Sequence, residues 1–96
     1  MVEKKIILET ENIQDSIKAL HYDFINGLQL DKLSPDEIKY IVQEKNKINP
    51  AMLILAAGGI NKSNIKEYAA TQADVIVSSS FFHASPLDIK AVIEKQ

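Results

Sequence analysis

One stretch constrains the fold of this chain more than any other, and it spans residues 52–65. It begins with an unbroken apolar run, Met-Leu-Ile-Leu-Ala-Ala, which is typical of a strand buried on both faces of a parallel sheet. The run ends at Gly58 and Gly59, where the backbone can turn sharply because neither residue carries a Cβ. Residues 61–64, Asn-Lys-Ser-Asn, are rich in helix N-cap types. The stretch therefore predicts a strand, a glycine turn and the start of a helix.

Residues 52–65 alone are compatible with two interpretations of the glycine turn. Free backbone amides and the dipole of the following helix would favour an anion there, most often phosphate. Alternatively, the glycines only relieve steric crowding in a tight connection between a strand and a helix. The stretch alone does not separate a phosphate-binding turn from a structural one.

The composition excludes several classes of function. The chain has 96 residues and a net charge of -2, so we expect one domain, residues 1–96, without the basic surface of a nucleic-acid or membrane binder. It contains no cysteine, which excludes disulfides, thiolate chemistry and a cysteine zinc site. No apolar run approaches the length of a transmembrane helix, and the first residues lack a signal-peptide core. These features predict a cytoplasmic protein.

Strand-like and helix-like segments alternate along the chain. Strands are predicted over residues 5–10, 23–30, 52–57 and 74–78, and helices over residues 13–20, 35–47 and 63–71. Asn12 and Ser34 are predicted N-caps, the second in a capping box completed by Glu37. The closing segment, residues 89–93, is predicted as a helix, although its loose alternation also resembles a strand. The order implies an α/β fold of parallel βα repeats with right-handed crossovers.

Polar or small residues follow the predicted strands. Because the carboxyl ends of parallel strands share one edge of the sheet, that edge would collect Glu9, Asp31, the two glycines and residues 78–80, Ser-Ser-Ser. Two carboxylates facing two such turns suit a phosphate ester bound with Mg²⁺, since the acids hold the metal or its waters and the turns supply amides. Taken singly, Glu9 and Asp31 are more often solvated loop acids, and residues 78–80 can be a polar strand end. His83 is more often a surface or packed histidine than a catalytic one.

Several segments carry a resemblance to a known enzyme family. Residues 56–61 (Ala-Ala-Gly-Gly-Ile-Asn), 64–71 (Asn-Ile-Lys-Glu-Tyr-Ala-Ala-Thr) and 73–77 (Ala-Asp-Val-Ile-Val) resemble the C-terminal part of the nicotinate-nucleotide pyrophosphorylase, or quinolinate phosphoribosyltransferase, family. Residues 30–35 (Leu-Asp-Lys-Leu-Ser-Pro) are similar to its Leu-Asp-Asn-Met-Ser-Pro motif, and residues 5–12 resemble its Glu-Val-Glu-containing strand. Residues 29–32, 56–59 and 86–90 look closer to the ModD branch, which is associated with molybdenum-transport genes.

The resemblance implies a fold, a reaction and a set of site residues. The family fold contains an incomplete α/β barrel, so we expect the C-terminal half of a TIM-like barrel. The family joins a base to phosphoribosyl pyrophosphate, with Mg²⁺, and releases pyrophosphate. The implied catalytic residues, which would also hold Mg²⁺, are Glu9 and Asp31. The implied phosphate-binding residues are Ala57, Gly58, Gly59, Ser79, Ser80 and His83.

The sequence also departs from the family pattern. Leu55 and Ala57 stand where quinolinate enzymes usually carry Glu and Ser, and Ser79 stands where they often have Gly. The basic residues that grip the dicarboxylate and the pyrophosphate lie upstream in the family, and nothing in this chain replaces them. We therefore expect a C-terminal fragment or truncated protein, with a missing N-terminal half, that is inactive alone. The alternative is a non-catalytic α/β module for binding or assembly that kept the fold and lost the enzyme.

Half a barrel would leave one face of its sheet uncovered, because right-handed crossovers place all helices on the other face. Covering even about 600 Å² per chain gains on the order of 15 kcal/mol before the cost of association. We therefore expect a homo-oligomer in which two chains cover each other's open face, unless residues 87–93 fold across it and leave a monomer. The residues predicted on the open face are Ile6, Leu8, Leu53, Leu55, Val75 and Val77.

Overall fold

A computed structural model describes residues 5–78 and 93–95 of the chain. Parallel strands alternate with helices, which confirms the predicted α/β class and is consistent with the C-terminal half of an α/β barrel. The strands lie in the order β1-β2-β3-β4-β5, with β1 to β4 parallel and β5 antiparallel to β4. The elements are β1 (Ile7–Thr10), α1 (Ile13–Leu20), β2 (Gly27–Asp31), α2 (Pro35–Ile48), β3 (Leu53–Ala57), α3 (Ile65–Ala69), β4 (Val75–Val77) and β5 (Ile93–Lys95).

Side-chain caps define where the two longer helices begin. At α2, the Glu37 amide donates to Ser34 Oγ at 3.2 Å and the Ser34 amide donates to Glu37 Oε1 at 2.8 Å, which confirms the predicted capping box. At α1, the Asp15 amide donates to Asn12 Oδ1 at 2.8 Å. Both caps satisfy amides that have no partner within their helix. Within the described part of the chain, no helix is long and apolar enough to span a membrane.

The hydrophobic core lies between one face of the sheet and the helices. Leu28, Leu30, Ile54 and Ile76 alternate along β2, β3 and β4 and are no more than 2% exposed. A period of two along a strand places these residues on one face, whereas the helices contribute residues at helical spacing. The helix residues that are fully buried in this core include Leu20, Ile38 and Ile41. Because this face of the sheet packs against α1 and α2, the alternate residues of each strand point away from the helices.

The strand register corrects part of the predicted open face. Ile7 pairs with Gly27 and Gly27 with Leu53, so Ile7 and Leu53 share a face, whereas Leu8 pairs with the fully buried Leu28. Ile6 and Leu8 were therefore assigned to the wrong face, by one residue, because Ile6, Ile7 and Leu8 are all apolar and show no alternation. We call the face opposite the helices the inner face. Its residues are Ile7, Glu9, Gly27, Gln29, Asp31, Leu53, Leu55, Ala57, Val75 and Val77.

Some element boundaries also differ from the prediction. The second strand begins at Gly27 rather than at residue 23, after a turn at residues 23–24, and the Asn26 side chain just before it accepts the amide of Ile6 at 2.8 Å. The closing segment, predicted as a helix over residues 89–93, is a strand at Ile93, where β5 pairs with β4. At Ile93 the observed strand is therefore the alternative that the loose alternation of residues 89–93 had left open. Residues 89–92 lie outside the described part of the chain.

Candidate functional site

The turn after β3 depends on two glycines with different surroundings. Gly58 has φ +85° and Gly59 has φ +77°, a left-handed conformation that residues with a Cβ rarely adopt. A Cβ on Gly58 would lie 2.6 Å from Asp31 Oδ1 and 2.7 Å from the Lys32 amide nitrogen, so the position also lacks space. A Cβ on Gly59 would meet no atom of residues 5–78 or 93–95 within 4 Å. Gly58 is thus packed against β2, whereas Gly59 faces space that no described residue fills and from which a ligand can approach.

The polar run after the glycines stabilises the loop more than it caps the helix. The side chain of Asn64 donates to the Gly59 carbonyl at 3.0 Å and accepts the Asn61 amide at 2.8 Å. It makes no capping bond to α3, which is only five residues long. The amides of Gly58 and Gly59 donate to no protein acceptor within residues 5–78 and 93–95. Attraction for an anion at this turn therefore comes from its amides, and the predicted contribution of a helix dipole is small.

Asp31 is placed directly over this turn by the end of β2. Its carboxylate is half-buried and rests against Gly58, while the Lys32 amide donates to the Ala57 carbonyl at 2.9 Å. Lys32 itself has φ +63°, an uncommon conformation for a residue with a side chain. The predicted proximity of Asp31 to the glycines is therefore observed.

Lys32 is a site residue that the sequence analysis did not single out. Its stem passes over Gly58, where an added Cβ would lie 2.9 Å from Lys32 Cγ, and its side chain is exposed. A signal was present in the resemblance, because the family motif has Asn where this chain has Lys32. Asn tolerates left-handed backbone better than most residues, so that motif already indicated an unusual conformation.

Glu9 lies on the same inner face, one strand further along the sheet. It pairs in register with Gln29, and Gln29 Nε2 donates a long hydrogen bond of 3.5 Å to Glu9 Oε2. Asp31 follows Gln29 by two residues, so standard strand geometry separates the Cα atoms of Glu9 and Asp31 by about 8 Å. The two acids therefore face one space with Gln29 between them, and Gln29 is a second residue that sequence reasoning missed.

The donor set of Glu9 and Asp31 is compatible with Mg²⁺, the metal that the family resemblance implies. No cluster of three or more His, Cys, Asp or Glu side chains that could enclose a metal occurs among the described residues. Mg²⁺ usually binds through one or two carboxylates, with waters and substrate phosphates completing its shell. Glu9 and Asp31, one exposed and one half-buried, match that mode rather than an all-protein metal site.

Of the second predicted turn, residues 78–80, only Ser78 lies among the described residues. Ser78 is buried and its Oγ donates to the Ile60 carbonyl at 3.2 Å, which brings the end of β4 next to the glycine turn. The predicted phosphate ligands of this second turn lie outside the described residues; they are Ser79, Ser80 and His83.

Positive charge is scarce on the inner face. None of its described residues on β1 to β4 is basic, and the family departures Leu55 and Ala57 both lie there, adding apolar surface beside Gln29 and Asp31. All 11 basic residues of the chain are lysines, so no guanidinium is available for bidentate binding of a carboxylate or phosphate. The arrangement offers acids and turn amides but few cations.

The sequence of this chain matches the model of a known protein family. Residues 1–92 match the model described as "Quinolinate phosphoribosyl transferase, C-terminal domain". That match includes both acids, the glycine turn and the residues after β4.

Curated relatives carry two kinds of name. The chain is 35% identical over 94 residues to "Putative pyrophosphorylase ModD" of Pasteurella multocida, covering 98% of this chain and 33% of the relative. A protein of the same name from Escherichia coli O157:H7 is 33% identical over 92 residues, covering 96% and 32%. "Probable nicotinate-nucleotide pyrophosphorylase [carboxylating]" of Methanocaldococcus jannaschii is 34% identical over 85 residues, covering 84% and 30%. The chain thus spans about a third of the length of these relatives.

Proposed function

The chain belongs to the quinolinate phosphoribosyltransferase C-terminal domain family, and on that premise we propose that it carries the phosphate-binding turns and the acids of a pyrophosphorylase site. Backbone amides of Ala57, Gly58 and Gly59 bind the 5-phosphate of phosphoribosyl pyrophosphate. The observation that supports this role most directly is the open space at Gly59, beside two amides without a protein acceptor in the described residues. The remaining phosphate ligands come from the turn after β4: Ser79, Ser80 and His83.

The two acids act on the sugar side of the same ligand. Glu9 and Asp31 hold the ribose or Mg²⁺ and stabilise the positive charge that develops at the anomeric carbon. Their Cα atoms are about 8 Å apart on one face, so both side chains can contact a small sugar that lies over that face. When bound, Mg²⁺ supplies positive charge between carboxylate and phosphate oxygens.

The proposal includes that this chain alone does not turn over substrate. The described inner face carries no basic residue on β1 to β4, so this face offers no cation that could orient two anionic reactants. Positioning and preorganised charge supply much of the rate of such reactions. Purified chain with phosphoribosyl pyrophosphate, Mg²⁺ and quinolinate should release no pyrophosphate above the rate without protein. Enzyme-dependent release would refute this part of the proposal.

Phosphate binding is tested by titrating ¹⁵N-labelled chain with inorganic phosphate and following amide resonances. The amides of Gly58 and Gly59 should shift, and Gly59→Val should abolish the shifts because its side chain fills the approach. Ala69→Val is the control, since it places the same valine side chain at an exposed position of α3 and should leave phosphate binding intact. A titration that moves no amide of the glycine turn contradicts the proposal.

A second candidate function is a binding or assembly module without catalysis. The observation that favours it is the apolar character of Leu55 and Ala57 on the inner face, where the family resemblance implies Glu and Ser. Calorimetry with phosphoribosyl pyrophosphate separates the two. Binding that strengthens with Mg²⁺ supports the enzyme-derived site, whereas binding that is independent of Mg²⁺ supports the module.

The proposal also concerns location and assembly. We propose a cytoplasmic location, as the composition predicts. We also propose a link to molybdenum transport, as the ModD resemblance implies. The proposal includes a homo-oligomer, because Ile7 and Leu53 on the inner face are 50% and 43% exposed and expose apolar surface.

A further inference from the structure

Lys32, the residue after β2, combines a strained backbone with a side chain that the proposed phosphate and Mg²⁺ binding does not use. Its φ is +63°, a left-handed conformation that Asn or Gly adopts at a lower cost than Lys. Strained residues persist where the surrounding structure imposes them, and they cluster at ligand-binding sites. The strain at Lys32 is therefore consistent with a function for its side chain.

Three contacts hold the backbone around Lys32. The Lys32 amide donates to the Ala57 carbonyl at 2.9 Å, which ties the residue to the end of β3. The next residue, Leu33, is 4% exposed, and its carbonyl accepts the Tyr68 hydroxyl of α3 at 2.9 Å. Ser34 then caps α2. The backbone of Lys32 is thus fixed by β3, α3 and α2 together, which gives its side chain a defined starting point.

The Lys32 stem and the Asp31 carboxylate flank Gly58. A Cβ on Gly58 would lie 2.9 Å from Lys32 Cγ and 2.6 Å from Asp31 Oδ1, so both side chains approach the glycine turn closely. The Asp31 carboxylate repels an anion bound by the turn amides, and a cation at similar range offsets that repulsion. Lys32 is exposed, and its ammonium pairs with no carboxylate or carbonyl of the described residues. That ammonium lies three bonds beyond Cγ and is available to a ligand at Gly59.

We propose that the Lys32 ammonium binds the same phosphate as the glycine turn, through a charge-assisted hydrogen bond. This inference rests on the proposed phosphate site and deepens it, because it adds a cationic side chain to a set of backbone amides. It also gives Tyr68 a positioning role. Tyr68 touches no ligand, and it holds the Leu33 carbonyl so that Lys32 keeps its left-handed conformation.

Two substitutions separate the charge of Lys32 from its backbone conformation. Lys32→Met keeps a long unbranched stem and loses the ammonium, whereas Lys32→Arg keeps the positive charge. Each ¹⁵N-labelled variant is titrated with inorganic phosphate while the Gly58 and Gly59 amides are followed. Lys32→Met should bind phosphate about fivefold more weakly than the wild type at low ionic strength, and Lys32→Arg should bind it nearly as well.

Urea unfolding controls for a loss of structure in these variants. Both should unfold close to the wild type, because φ +63° strains Lys, Met and Arg to a similar degree. The affinity of the wild type for phosphate should also fall more steeply with added salt than the affinity of Lys32→Met, since salt screens an exposed ionic contact. A purely structural role of Lys32 would leave the two salt dependences equal.

Lys62→Met is the matched control for a general effect of positive charge. Lys62 is exposed in the loop that follows Gly59, but a Cβ on Gly59 would meet no atom of it within 4 Å. Its substitution should weaken phosphate binding by less than about twofold.

Tyr68→Phe tests the positioning role of Tyr68. Loss of the hydroxyl releases the Leu33 carbonyl and should weaken phosphate binding while Lys32 is present. In the Lys32→Met background the same change should have no further effect on phosphate binding, because the ammonium that it positions is gone. Equal losses in the two backgrounds would overturn the positioning role.

The outcomes separate this inference from the phosphate site itself. Turn amides that still shift in Lys32→Met, with unchanged affinity and salt dependence, overturn the inference and leave the phosphate site in place. A loss in Lys32→Arg or in Lys62→Met as large as the loss in Lys32→Met also overturns it, because the charge at Lys32 is then not what binds. A wild type whose Gly58 and Gly59 amides do not shift overturns both the inference and the phosphate site.

Discussion

Replacing each glycine of the β3–α3 turn by alanine tests whether the two positions are constrained in the way the structure shows. Both substitutions impose a left-handed conformation on a residue with a Cβ, which costs about 1–2 kcal/mol. Gly59→Ala costs only this strain, because no atom of the described residues lies within 4 Å of its new Cβ. Gly58→Ala adds contacts of 2.6 and 2.7 Å that force neighbouring atoms to move, for a total on the order of 3 kcal/mol or more.

A double substitution divides the larger effect between its two contacts. Asp31→Ala in the Gly58→Ala background removes the carboxylate oxygen at 2.6 Å but leaves the Lys32 backbone amide at 2.7 Å. We therefore expect the second change to recover only part of the lost stability. Asp31→Ala alone, measured beside it, completes the double-mutant cycle.

Urea unfolding followed by circular dichroism measures these free energies. For a domain of this size, 1 kcal/mol also corresponds to a shift of about 4–8 °C in Tm. The expected order of stability is wild type, then Gly59→Ala, then Gly58→Ala. A loss in Gly58→Ala no larger than the loss in Gly59→Ala would refute the packing of Gly58 against β2.

Three further predictions address the caps, the site and the strand register. Ser34→Ala should lower the free energy of unfolding by about 1 kcal/mol because it removes the capping box of α2; no change in the urea midpoint would contradict this. Lys32→Asn should raise stability by up to about 1 kcal/mol, since Asn tolerates φ +63° better, and it should weaken phosphate binding by removing a nearby cation; a less stable variant would count against the left-handed assignment. Ile54→Ala should cost about 2–5 kcal/mol and Leu53→Ala less than about 1 kcal/mol, because only Ile54 is fully buried; similar losses in urea would overturn the assignment of faces.

Much of the candidate site was predictable because it depends on local chemistry at strand ends. Asp31 ends β2 and the glycines follow β3, and parallel strands place their carboxyl ends on one edge. Lys32 and Gln29 were missed for different reasons. The conformation of Lys32 follows from close packing of two turns, and the position of Gln29 beside Glu9 follows from pairing between strands.

The prediction for the end of the chain failed where local pattern was weak. Residues 89–93 show loose alternation that fits a helix or a strand, and pairing with β4 decided for a strand at Ile93. A strand gains its hydrogen bonds from a partner distant in sequence, so propensity alone does not fix it. The functional proposal for the second phosphate-binding turn stands on the family resemblance and on the contact of Ser78 with Ile60.

The sequence by itself determined the α/β class, the starts of α1 and α2, and the glycine turn, because caps, alternation and glycine act over a few residues. Only the tertiary structure decided which residues of β1 belong to the inner face. Three consecutive apolar residues, Ile6, Ile7 and Leu8, satisfy either register locally, and pairing of Ile7 with Gly27 selected one. That pairing also set Glu9 on the face of Asp31, and the pairing of β2 with β3 left Gly58 without room for a Cβ, since both depend on how neighbouring strands meet.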